Sequence, residues 1–127
     1  MKMKDMTTVT QGSVGLGVAI AYFLSKGYPV CVPLNDNQPY DLVVDIQDSL
    51  KKVQVKTTRS KSKYGSYLVL LRSIRPNRTG NTIKKLDTSK VDYVFIHCED
   101  GTKYLIPALD ITTYDLTLNK SKDKYKI

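Results

Sequence analysis

Three polar residues stand at spacings that could assemble a hydrolytic site: Asp41, Gln54 thirteen positions on, and Lys56 two further. A carboxylate and an amide oxygen are hard ligands. They suit a magnesium-type ion, which takes few ligands from protein and leaves room for water and phosphate. The backbone carbonyl of Val55 offers a third oxygen. A lysine beside such an ion can orient or activate an attacking water, or offset charge growing on a phosphate. The chemistry outlined is metal-assisted phosphodiester hydrolysis, with Mg2+ the expected ion and Mn2+ an alternative.

These residues fall on two strand-like segments, 41–46 and 50–57, joined by the turn Gln47-Asp48-Ser49. Pairing Ile46 with Lys51 sets Val44 against Val53, Val43 against Gln54 and Asp41 against Lys56. The period-two alternation of strands then places Asp41, Gln54 and Lys56 on one face and Leu42, Val44, Ile46, Val53 and Val55 on the other. Asp41 and Lys56 would lie about 5 Å apart at Cβ, with Gln54 diagonal to Asp41 at roughly 7 to 8 Å. Asp45 shares the polar face but lies roughly 13 Å along the strand from Asp41, too far to share one ion. Asp36, on the loop before the hairpin, is the better second carboxylate.

The apolar side of this hairpin needs a cover, and 13–26 supplies one. It reads as a buried helix with apolar stripes at helical spacing, stopped by Gly27. Further strands are expected at 28–32, 67–71, 93–98 and 103–106, the last two as a hairpin through Asp100-Gly101. The stretch 73–90 reads as a long basic loop. Residues 1–118 are expected to form one domain and 119–127 a basic flexible tail.

Charge is distributed unevenly. The chain carries a formal +8, yet residues 51–90 hold twelve of its twenty basic residues against the single acid Asp87. A merely solvated surface mixes its signs, so this block points to a polyanionic partner. Arg59, Lys61, Lys63, Arg72, Arg75, Arg78, Lys84 and Lys85 are the expected nucleic-acid contacts. Tyr64 and Tyr67 lie within the same block and could stack on bases or touch phosphates. No basic amphipathic helix supports a membrane partner, and an intracellular location is expected.

Other features take bland readings. Cys31 and Cys98 have neither zinc nor disulfide spacing and read as reduced core residues. His97 lacks a partner at useful spacing and reads as structural. Gly12, Gly15 and Gly17 follow no strand and precede no Gly-Lys-Ser/Thr, so they read as close helix–sheet packing rather than a phosphate loop.

The sequence resembles the PD-(D/E)XK nuclease superfamily, and within it the small group I intron-associated, homing-type endonucleases. The residues that carry the resemblance are Gly12-Ser13-Val14-Gly15, Lys26-Gly27-Tyr28-Pro29-Val30, Pro33, Tyr40-Asp41-Leu42-Val43-Val44 and Val53-Gln54-Val55-Lys56-Thr57. It implies an α/β fold with a restriction-endonuclease-like mixed β-sheet core and flanking helices. It also implies a metal-dependent, site-specific DNA endonuclease with Asp41, Gln54 and Lys56 catalytic and Asp41, Gln54 and Val55 at the metal. Duplex DNA would be the partner, and one active site per chain favours a homo-oligomer, a dimer or tetramer. One departure stands out: many superfamily members carry a helix glutamate facing the metal, where this helix has Leu16. A nuclease-fold DNA-binding protein that has lost catalysis is therefore the alternative, and an RNA-binding protein a weaker one.

Overall fold

The structure is a computed structural model that describes residues 2–127, with side chains described for all of these but 74–77. Helix α1 spans Thr8–Ser25, beginning five residues before the start expected from sequence. The reason is a cap: the Thr7 hydroxyl accepts from the Thr10 N–H, satisfying one of the donors a helix start leaves open. Gly27, at φ +81°, ends it in the left-handed region.

Among the described residues nine strands follow: β1 (Val30–Cys31), β2 (Leu42–Ile46), β3 (Ser49–Thr58), β4 (Tyr67–Leu70), β5 (Ser73–Asn77), β6 (Gly80–Lys84), β7 (Tyr93–Cys98), β8 (Lys103–Pro107) and β9 (Asp115–Leu118). Five build a mixed sheet in the order β1-β2-β3-β7-β8, in which only the β3–β7 pair is parallel. This is the restriction-endonuclease-like arrangement. The strand bearing Gln54 and Lys56 is its central member.

Each face of the sheet has its own core. On one, α1 lays Ala19 and Phe23 against Leu42, Val44, Val53 and Phe95, with Leu16 half-buried beside them. The helix comes so close that a Cβ on Gly15 would overlap the Thr57 hydroxyl. Only glycine permits that approach. By length and composition α1 could cross a membrane, but its Gly15, Ala19 and Phe23 stripe is buried on the sheet. On the other face, β4 and β9 pair with each other and cover Val94, Ile96, Cys98, Tyr104 and Ile106. Strand β9 had no counterpart in the sequence reading.

Two expectations about the second half of the chain are corrected. The stretch 73–90 is not a long loop, because β5 and β6 form a two-stranded antiparallel ribbon across it. Nor is 119–127 free of structure. Lys120–Tyr125 forms a 3-10 helix capped by the Asn119 side chain, and the Tyr125 hydroxyl donates to Asp110 at 2.8 Å. The Ile127 N–H then closes onto the Lys103 carbonyl. The tyrosine ring, packed against the core, supplies the apolar anchor that the surrounding lysines hide in the sequence.

Candidate active site

The β2–β3 hairpin turns more tightly than the sequence reading assumed. Ile46 pairs with Ser49, leaving only Gln47 and Asp48 in the turn, both at positive φ (52° and 67°). Such a two-residue turn matches the strand twist, which outweighs the cost of two non-glycine residues in the left-handed region. Leu42 therefore faces Val53, a register two residues removed from the expected one. A shift of two preserves the faces, so Leu42, Val44 and Val53 still meet α1 and the polar trio still shares the opposite side. What changes is the pairing within the trio. Continued by one step, the observed register sets Asp41 opposite Gln54, about 5 Å apart at Cβ, and moves Lys56 to the diagonal.

Asp41 lies one residue before β2, where the ladder gives way to its side chain. Its N–H donates to the Val53 carbonyl at 2.8 Å, and its carboxylate accepts the Val55 N–H at 2.7 Å. The N–H and C=O of a strand residue point to the same edge, so the Val55 carbonyl looks toward Asp41 as well. Gln54 is fixed by its amide nitrogen, which donates to the Pro39 carbonyl at 3.1 Å. Its Oε1 is buried and has no hydrogen-bond partner. A buried acceptor left open is costly unless something else satisfies it.

Gln54 borders a cavity of about 500 Å3 that it shares with Asp36, Asp87, Lys84, Lys85 and Lys90. Asp36, the second carboxylate suggested by sequence, thus lines the same hollow as Gln54. Lys90 was missed as a site residue, although it closes the basic block, because nothing in a loop reading says where such a residue returns to the body. Lys56, half-buried, borders a neighbouring hollow of about 520 Å3 with Thr8, Gln11 and Arg59. From α1, Gln11 and Thr8 line the hollow beside this strand. The Gln11 side-chain amide donates to the Met3 and Met6 carbonyls, and the Gln11 backbone carbonyl accepts from the Thr57 hydroxyl. No acid comes from the helix, and Leu16 packs into the core.

The basic residues divide by environment. Lys63, Arg78 and Lys84 are exposed. Arg59 is exposed too, with its guanidinium donating to the Lys4 carbonyl. Lys61 lies 4.9 Å from the Tyr67 ring centroid, and Tyr67 is buried whereas Tyr64 is 83% exposed. Arg72 pairs with Asp115 at 3.3 Å, and Lys85 donates to the Thr112 carbonyl beneath the Tyr114 ring. The Arg75 side chain lies outside the described residues. Of the two cysteines, only Cys98 is a core residue, and burial pushes its thiol up to about 12. Cys31 is exposed, because its two-residue strand forms the sheet edge. His97 is half-buried with an unpartnered Nδ1; burial holds its pKa below the usual imidazole value, helped by Lys103 and opposed by Asp100.

The helix-backed mixed five-stranded sheet is the fold of the nuclease class. A family model described as PD-(D/E)XK endonuclease matches residues 6–126, and the chain belongs to that family. A solved structure, that of the bacterial homing endonuclease I-Ssp6803I, is similar over 95% of this chain and 89% of its own, with 26% identity and a TM-score of 0.83. A search of curated protein sequences found no match.

Proposed function

We propose that this endonuclease is a divalent-metal-dependent, site-specific cutter of duplex DNA, of the homing type, with Asp41, Gln54 and Lys56 as its catalytic residues. The observation that carries this reading is the buried, unpartnered Oε1 of Gln54, a residue that the β2–β3 register, continued one step past Leu42 and Val53, sets opposite Asp41. The donor set fits a hard cation, for which the Asp41 carboxylate, the Gln54 amide oxygen and the Val55 carbonyl would be the ligands. Nucleases of this family generally use divalent metal ions, and Mg2+ suits all-oxygen ligation with few protein donors. When bound, the ion would supply Lewis-acid stabilisation of the charge that builds on the scissile phosphate.

The protein's own groups divide the remaining work. Asp41 is held in place by the Val55 N–H, so its orientation is set before any ligand arrives. Lys56 stands two residues beyond Gln54 on the same face of β3, and its ammonium would orient the attacking water or offset negative charge on the phosphate. Arg59, Lys61 and Lys63 continue the chain directly past Lys56, and Lys84, Lys85 and Lys90 rim the Gln54 cavity. Together they supply attraction for the flanking backbone phosphates. Because each chain offers one such site, cutting both strands of a duplex calls for a symmetric homo-oligomer.

Plasmid cleavage in Mg2+ or Mn2+ tests this directly. Wild-type protein should cut, and Asp41→Ala and Lys56→Ala should each lower the rate by roughly 100-fold or more while duplex binding persists. The absence of any acid from α1 favours a second reading, a DNA-binding protein on a nuclease fold that has lost turnover. Wild-type protein that binds duplex tightly but never cuts with either metal would establish that reading instead. Tighter binding to structured RNA than to duplex DNA would overturn both.

A further inference from the structure

The ribbon formed by β5 and β6 stands apart from both cores. Its strands pair only with each other among the described strands, and no other element packs extensively along them. Beyond the undescribed side chains of 74–77, its residues are largely exposed, including Ile83 at 47%. An isolated two-stranded ribbon is marginal in water, so a ribbon none of whose described side chains joins either core points to a partner.

Charge, position and size indicate which partner. From Arg72 to Leu86 the chain has no acid and five basic residues. At the ribbon's base Ser73 pairs with Lys84, and both line the cavity that contains Gln54. The ribbon thus rises from the rim of the hydrolytic site. Five residues per strand span about 17 Å, roughly five base-pair steps of duplex. A two-stranded ribbon is one of the few shapes that enter the major groove, about 12 Å wide.

We propose that the β5–β6 ribbon occupies the major groove beside the scissile phosphate and provides this protein's sequence discrimination, with Arg78 in the turn at its tip reading a base edge. This deepens the reading of the chain as a DNA endonuclease and rests on it. The register fixes which side faces the DNA. Ser73, Thr82 and Lys84 share the face that turns to the cavity, and Asn81 and Ile83 occupy the reverse. Arg78 is exposed between the paired positions 77 and 80, where its guanidinium fork can match the two acceptors of guanine.

Selection of bound duplexes from a randomised pool, using the full chain, gives the preferred sequence. Affinities for that sequence and for an unrelated duplex then give a discrimination ratio. Arg78→Ala should lower the ratio by about 10-fold or more, and replacing 74–83 by Gly-Gly should bring it close to one. Lys63→Ala, which removes a phosphate contact, should weaken both duplexes alike and leave the ratio unchanged. Ile83→Thr, on the reverse face, should also leave it unchanged. A ribbon-deleted chain that still enriches the wild-type sequence would overturn the proposal, as would a full chain that enriches none. A chain that enriches a sequence through the ribbon but never cuts would overturn the nuclease reading and leave the ribbon's role standing.

Discussion

In the proposed site Gln54 sets the charge balance, because a glutamine stands where a second carboxylate would strengthen cation binding. With Asp41 opposite and Leu16 the apolar contribution of α1, only Asp36 and Asp87 bring further negative charge near the same cavity, against three lysines on its rim. Affinity for a free cation should therefore be low until substrate phosphate joins the shell. Gln54→Glu should raise Mg2+ affinity of the DNA-free protein by about tenfold, measured by calorimetric titration, since a carboxylate replaces a neutral oxygen in the same place. Unchanged affinity would remove Gln54 from the ligand set. The variant also loses the amide bond to Pro39, so a fall in thermal stability alongside tighter metal binding is the expected pairing.

At the scale of elements, the approach of α1 to β3 is set by Gly15. An alanine in a helix interior normally stabilises by about 1 kcal/mol relative to glycine. Here the added methyl meets the Thr57 hydroxyl, and overpacking of this kind costs roughly 1 to 3 kcal/mol. Gly15→Ala should lower the denaturant midpoint, and Thr57→Ala in the same chain should restore much of the loss; a stabilised single variant would contradict the close approach. The close packing expected of Gly12, Gly15 and Gly17 holds at Gly15 alone, since Gly12 and Gly17 face open space; the two faces of the β2–β3 hairpin were legible because side-chain alternation is a local pattern. The register was misjudged by two because the compact turn places Gln47 and Asp48, neither a glycine, at positive φ. The ribbon was legible only as charge, since its strands carry no apolar alternation against a core. Strand β9 escaped notice for another reason: its pairing with β4 joins Tyr67 to Leu118, a contact no short window contains.

For the molecule as a whole, the +8 charge and its concentration in 51–90 predict strongly salt-dependent DNA binding. If four or more of the exposed cations meet phosphates, log affinity should fall with log salt at a slope of about −3.6 or steeper. Fluorescence anisotropy between low and moderate salt measures this, and a flat response would exclude phosphate tracking by that block. The parallel pairing of β3 with β7 has a different consequence, felt during synthesis. The β2–β3 hairpin can close as soon as Thr58 is free to move, but the partner on its other side is complete only forty residues later, at Cys98. At about 5 to 20 residues per second, that leaves the strand bearing Gln54 and Lys56 with one unpaired edge for roughly 2 to 8 seconds. During that interval the nascent hairpin presents the same row of open backbone groups that drives strand-to-strand association between chains. The lysines at 51, 52 and 56 put positive charge along that strand, and like charges of this kind keep neighbouring nascent copies apart.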